Sequence, residues 1–583
     1  MNCIIPTLLM LFSFSVQATT GDGTLTGTVQ DRTNKEPIPF ASVIVSGTTI
    51  GATTDFDGHF FLQLSPGKYD IDISYIGYRT DTLKNVQVIA GQTMELNHYI
   101  STDAQMLEAV DLVVKQDRES ETALLVNARK ATEIVQNIGS QELSRKGVST
   151  VADGLQKVSG ISTVSSKFIV VRGLGDRYNA ALLNGLPVPS TNPDMKVPEL
   201  NLFPTNIVSN IKVTKTYASN YYGDYSGGMV DIQTKTYAEE PLLNISIGSG
   251  FNTQTIGREV TTYQGGRYDY FGYDDGGRTT PSTGVNGSEA NPYTFTNSLN
   301  PVYTNANPNS SFNLSVGNSK KGENGSVMGY LFSASHGLSN RYSNGDMRII
   351  NKQNDIKLDY DFDAFEQSTN SSALATLYFA SNTDTRFTYN FLAVSTSSDL
   401  TRETRGSHFD YQKQIYTRRN TFKRNSMYLN QLTFEKEYDQ TIINAALGYS
   451  IAQNREPDRN QLVYLYDEGD APTEYVFNAV DRLENHRFYS HLDEKEMSAM
   501  ANVKRFLGES KDSKEKQYID FGIQAKNKTR DFDYQQFYYD LSNFNTYYAT
   551  VDYRNPDFYL NQENAEKGWI SIEEVNNPAS ANQ

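Results

Sequence analysis

From Leu242 onward the chain repeatedly alternates apolar with polar residues in segments of about ten. Leu243, Ile245 and Ile247 alternate with Asn244, Ser246 and Gly248, and Phe312, Leu314 and Val316 with Asn313, Ser315 and Gly317. Phe387, Tyr389, Phe391 and Ala393 alternate with Arg386, Thr388 and Asn390. Ile443, Ala445, Leu447, Tyr449 and Ile451 alternate with Asn444, Gly448 and Ser450, and Ile519, Phe521, Ile523 and Ala525 with Asp520, Gly522 and Gln524. Residues two apart share one face of a strand, so each segment has an apolar face and a wet face. About ten residues is also the length with which a tilted strand crosses a bilayer. A soluble sandwich alternates too, so the pattern fixes strands and leaves open what covers their apolar side.

The connections say more. The strands read as 242–252, 309–319, 324–338, 370–381, 385–398, 424–437, 441–454, 493–506 and 516–529. The connections are then 253–308, 320–323, 339–369, 382–384, 399–423, 438–440, 455–492 and 507–515, long and short in alternation. A sandwich has no reason to gather its long loops at one end. A transmembrane barrel keeps short turns on one side of the membrane and long loops on the other. Residues 237–583 therefore read as part of an antiparallel β-barrel of about nine strands. An odd, open set leaves a backbone edge that lipid does not tolerate. The chain closes on "VNNPASANQ" rather than on a strand, so the expectation is a sequence lacking later strands, with 531–583 a soluble tail or, from its stretch "YYATVDYRNPDFYLNQENAEKGW", an external loop.

Composition agrees with long half-exposed strands: aromatic residues reach 12%, with 38 Tyr and 29 Phe. The net charge of −16 opposes a nucleic-acid partner, which would need a basic field. The only long apolar run, Cys3 to Ala18, is short and terminal, and Val16-Gln17-Ala18 resembles a small-residue cleavage site. Residues 1–18 read as a secretory signal, although Met1 and Asn2 bring no Lys or Arg. Cys3, the only cysteine, would leave with it. It precedes the apolar run, where a lipoprotein cysteine would follow.

Residues 19–102 form short strands between turn residues: "GTLTGTVQD", "PIPFASVIVSGT", "GATTDFDGHFFLQL", "PGKYDIDISYIGY" and "QTMELNHYI". Turn signals recur about every ten residues, as a sandwich requires. Gly27, Val29, Asp31, Pro39, Ala41, Thr54, Asp55, Gly58, Pro66, Gly67, Tyr69, Gly77 and Tyr78 carry a pattern that resembles the carboxypeptidase-regulatory-like domain, a transthyretin-like β-sandwich. Asp55-Phe56-Asp57-Gly58 has the look of half a calcium loop, but its glycine comes early and Pro66 stands where the closing carboxylate belongs, so it reads as a hairpin turn. Residues 103–127 are charged, with one β-rich run, Glu108-Ala109-Val110-Asp111-Leu112-Val113-Val114. It is either a last sandwich strand or an edge segment awaiting a partner strand.

Residues 128–236 are mixed. "GSQELSRKG" and "STVADGLQKVSG" read as short helices, the first with Ser140 as its N-cap and Gly147 after it. Strands read at Phe168–Arg172, Ala180–Leu183, Asn210–Thr214 and Val230–Thr234. Gly173-Leu174-Gly175 lacks a third glycine and a following helix, which a phosphate cradle needs. Asn184-Gly185 is a hairpin signal, because both residues tolerate positive φ. In fixed order come the helix and Val-Ser-Gly, then Val171-Arg172-Gly173, Leu183-Asn184-Gly185, Ile211-Lys212-Val213, Tyr222-Gly223 and Gly227-Gly228. Together these resemble the plug domain of TonB-dependent outer-membrane receptors, over about 126–235. Against the usual pattern, Lys215-Thr216-Tyr217 replaces a Lys-Gly-Pro turn.

The resemblance implies a mainly β architecture: the sandwich, a mixed α/β plug, and part of a barrel of about 22 strands with a plugged lumen. It implies active import of a nutrient across a Gram-negative outer membrane, with the sandwich in the periplasm. The partner would be TonB with its inner-membrane energising complex, gripping Glu108–Val114 by strand addition. Arg172, Gly173, Asn184, Gly185, Gly223, Gly227 and Gly228 are the plug motif. The longest loop, with Tyr273, Asp274 and Asp275, is the place for an extracellular substrate of unread identity. A receptor of the Bacteroidetes type also leaves room for a surface lipoprotein lid.

Enzyme chemistry finds no purchase. His491-Leu-Asp-Glu494 fits half a zinc site, but no histidine follows it. No Gly-x-Ser-x-Gly elbow occurs, and the six histidines form no nucleophile–base set. The expectation is no catalytic residue, no metal and no cofactor. A secreted adhesin or carbohydrate-binding protein is the alternative. It explains the sandwich and the aromatics, but not the rhythm of the connections.

Overall fold

In the computed structural model, which describes residues 22–101 and 124–574 apart from short internal stretches such as 468–473 and 508–516, the first strand, Gly23–Asp31, buries every second side chain. It pairs with His59–Leu64, Thr93–Glu95 and His98–Ile100. A second sheet runs Gly51–Thr53, Ser42–Val45, Gly67–Ser74, Asp81–Val88. Leu25, Val29, Val43, Phe60, Ile71 and Ile73 meet in the core between them. Asp55 closes a turn, its carboxylate accepting from the amides of Asp57 (3.0 Å) and His59 (2.8 Å), with Gly58 at φ +75. This sandwich lies within one compact unit, Met1–Lys115; Gln116–Gln583 forms the other.

The second unit holds the plug and the wall. The plug is a five-stranded sheet in the order Leu186–Pro187, Ala180–Leu183, Met229–Thr234, Val208–Thr214, Val135–Gly139. Two helices among the described residues, Ser140–Arg145 and Val151–Leu155, are short, at six and five residues. Ser140 is not the N-cap: Gly139 takes that place, and Ser140 begins the helix. Thr150 does cap the second helix, accepting from the Asp153 amide at 3.2 Å. Gly154 packs so closely that a Cβ there would stand 2.6 Å from Leu143.

The wall is an antiparallel sheet of eleven strands. All nine segments read from the alternation are in it, each paired with the next in chain order. Two short strands, Tyr475–Phe477 and Ser571–Glu574, complete the eleven. The lengths differ from expectation. Lys413–Tyr438 and Thr441–Tyr466 each run 26 residues, about 85 Å at roughly 3.3 Å per residue. Most of 339–369, 399–423 and 455–492, read as long loops, is strand. Asp531–Asp540, read as loop, continues Gln517–Asp540. The reason is chemical. Alternation shows only where one face meets an apolar surround, and beyond that height polar and aromatic residues occur on both faces. The strand ends build a second core with the loops, in which Tyr416, Tyr464 and Tyr539 pack with Leu299, Phe544 and Ile570.

Lower down, the two faces are sharply different. Tyr330, Leu377, Tyr389, Leu432 and Leu447 are directly opposite one another on successive strands and all are exposed. One residue away on their strands, Thr376, Asn390 and Gln431 are buried. Leu447 is 58% exposed and Gln431 3%. At this height the sheet carries an apolar belt on one face and a polar, covered surface on the other, with Leu374, Leu392 and Leu429 buried farther along that covered face, as in a partial barrel. Among the described residues no helix is long and apolar enough to cross a membrane.

Candidate functional site: the contact of plug and wall

The motif residues of the plug hold its own turns. Arg172 and Gly173 have φ +51 and +78, and Asn184 and Gly185 +51 and +83. The second pair forms a two-residue hairpin turn between Leu183 and Leu186, where positive φ at both positions matches the twist of the strands. Buried Asn179 joins two turns. Its Nδ2 donates to the carbonyls of Leu174 and Gly175 (both 3.0 Å), and its Oδ1 accepts from the Gly228 amide at 2.9 Å. A Cβ on Gly227 would stand 2.5 Å from that Oδ1, and one on Gly228 2.8 Å from Val171. Gly223 has open space around it.

The hairpin tip reaches the wall. Asn184 Nδ2 donates to Gln431 Oε1 at 2.9 Å, and Gln431 Nε2 donates to the Leu183 carbonyl at 2.8 Å. Farther round, the wall carries a ladder of opposite charges. Glu494 is directly across from Arg530, Glu496 from Lys528, and Ser498 from Lys526. Glu494 accepts from Lys528 Nζ at 2.7 Å, from Arg530, and from the Ser190 amide of the plug at 3.3 Å. Arg530 also donates to the carbonyls of Ser190 and Pro193, at 3.3 and 3.2 Å. Lys526 bonds Asp224 of the plug at 2.8 Å, and Gln524 the Asn220 carbonyl at 2.8 Å.

Sequence reasoning missed this ladder. The signal was present: Glu494, Glu496 and Ser498 alternate, as do Lys526, Lys528 and Arg530, all on the face opposite the apolar set. Asn179 left no such signal, because its partners lie up to 49 residues away.

Beside this contact the plug has an open cleft of about 460 Å³, lined by Asp176, Arg177, Tyr178, Asp194, Met195 and Lys196. The Asp176 carboxylate accepts from the amides of Lys196 (2.6 Å) and Val197 (2.8 Å) and so ties the two sides of the cleft together.

The loop residues read as a substrate site are engaged within the protein. Asp274 accepts from buried Arg278 at 3.0 Å, which Asp269 also grips through both its oxygens. Asp275 accepts from the amides of Arg267 and Gly277, and these hold its carboxyl below the usual carboxylate range. Tyr273 stays exposed, with the Arg424 guanidinium over its ring at 4.2 Å. His491 and Glu494 share a strand rather than a helix and, three apart, point to opposite faces. Glu108–Val114 lies outside the described residues.

Residues 127–230 match the TonB-dependent receptor plug domain family. The chain carries a TonB-dependent receptor plug domain. In front of the plug domain, residues 25–112 match the CarboxypepD_reg-like domain family, a match that takes in Glu108–Leu112. TonB-dependent receptor SusC of Bacteroides thetaiotaomicron is 30% identical over 253 residues, 40% of this chain and 23% of SusC. A TonB-dependent receptor of Formosa agariphila is 30% identical over 175 residues, 29% of this chain and 16% of its own. These matches span less than a quarter of either relative. The ferric yersiniabactin uptake receptor of Yersinia pestis overlays 71% of this chain and 62% of its own at 10% identity, with a TM-score of 0.31, too loose a fit to carry an argument.

Proposed function

We propose that this chain belongs to an importer of the outer membrane, in which the plug domain closes a barrel and TonB opens it. One observation carries the reading. A domain of the plug family is hydrogen-bonded to the polar face of a sheet whose opposite face carries an apolar belt. Where hydrogen bonds and ion pairs hold the plug it can be moved, because water replaces such bonds as they break. The outer membrane holds neither ATP nor a standing potential, so the work comes from a partner. TonB adds a strand to Glu108–Val114, with Val110, Leu112 and Val114 packing on one side. The cargo, a nutrient, meets the plug at the open, polar cleft of Arg177, Tyr178 and Asp194. A surface lipoprotein that covers the outer mouth is compatible with the exposed loops.

The test is Leu112→Pro in cells that depend on the receptor for growth on its nutrient. Growth should stop while the protein remains in the outer membrane with unchanged heat-modifiable migration. Unimpaired growth removes the assignment of TonB to this segment.

A further inference from the structure

The plug meets the wall along two seams of opposite character. On one, Leu331, Leu374, Leu392, Val394, Met427 and Ala452 of the wall join the apolar core of the plug. No ion pair crosses that seam among the described residues; its polar contacts are neutral, such as Asn370 with the Asn201 carbonyl at 3.3 Å. On the other, the ladder of Glu494, Glu496, Lys526, Lys528 and Arg530 faces Ser190, Pro193, Asn220 and Asp224. Two polar atoms there, Glu496 Oε1 and Tyr222 OH, are buried without a protein partner, and so is Thr191 Oγ1 next to Ser190. Buried polar atoms in such a position are met by water.

We infer that the passage opens along the charged seam, between the plug segment 190–224 and the strands His486–Leu507 and Gln517–Asp540, while the apolar seam stays shut. The inference rests on the import reading. The physical reason is what each seam loses when water enters. Apolar side chains gain nothing from water and are driven back together. Carboxylates, ammonium and guanidinium groups exchange each other for water at little net change once solvent reaches them. The charged seam also lies along the loop 190–196, which forms one side of the cleft, so cargo in the cleft borders it directly. A path lined by both signs of charge suits polar, hydrogen-bonding cargo rather than an apolar molecule or a strongly charged one.

The experiment uses the full receptor in the outer membrane and a membrane-impermeant maleimide as probe. Thr191→Cys and Tyr222→Cys report the charged seam, Ala452→Cys and Leu374→Cys the apolar one. The receptor without these substitutions is the blank. Labelling is compared in cells with and without energised TonB. The expected result is a several-fold faster reaction at Thr191→Cys or Tyr222→Cys on energisation, and no change at Ala452→Cys or Leu374→Cys. A gain at the apolar positions equal to or above that at the charged ones overturns the inference and leaves TonB coupling standing. No change anywhere overturns both.

Discussion

Asn184 and Gln431, 247 residues apart, exchange the hydrogen bond that fastens a plug hairpin to the wall. Gln431 also satisfies the Leu183 carbonyl, so a single wall side chain serves two groups of the plug. Gln431→Leu keeps the size and removes both partners. Leaving a buried carbonyl and amide unmet costs about 1–3 kcal/mol. The plug should become protease-sensitive at lower urea than in the parent, with the barrel's heat-modifiable migration intact.

Three of the plug-motif glycines should not respond alike. Gly227→Ala pushes a methyl against Asn179, whose oxygen cannot retreat without releasing the Gly228 amide. Gly228→Ala meets the β-branched Val171. Overpacking of this kind costs about 1–3 kcal/mol. Gly223→Ala has room, and its cost should be small. Urea titration of plug proteolysis across the three variants measures the order. Equal sensitivity of all three would show that close approach is not why these glycines are there.

Leu447 and Gly448 are neighbours on opposite faces. Leu447→Lys places a charge in the apolar belt, where a Lys near the bilayer midplane costs about 2–4 kcal/mol. Outer-membrane levels of the folded receptor should fall. Gln524→Lys, on the polar face, should leave assembly unchanged. If Leu447→Lys assembles as well as Gln524→Lys, the belt does not face lipid.

Tyr78 of the sandwich donates to Asp31, and this bond, with a smaller part from burial, pushes its phenol up to about 12. A raised folded value means that the interaction is intact below the ordinary phenol range and is lost as the pH rises through it. The sandwich should therefore lose stability from about pH 10 to 12. In Tyr78→Phe that part of the pH dependence should vanish, as read from thermal unfolding at stepped pH.

The strands of the wall were legible because exposed apolar and covered residues alternate locally. The turn at Asn184-Gly185 was legible because positive φ selects residue types. The helix start at Ser140 was misread, since a serine before a helical run fits the cap position and the first turn equally well. The loops at 339–369 and 399–423 were misread for a different reason. Above the belt the exposed apolar face ends, and a strand such as Ile356–Ala380 then alternates no more than a loop does.

Periodicity and turn chemistry are properties of a few consecutive residues, and they alone decided that these strands exist, which face is apolar and where the short turns fall. The partners of Glu494 and Gln431 were decided by tertiary structure. Their bonds to Ser190 and Asn184 join residues 304 and 247 apart, and a buried charge carries no local mark of what neutralises it.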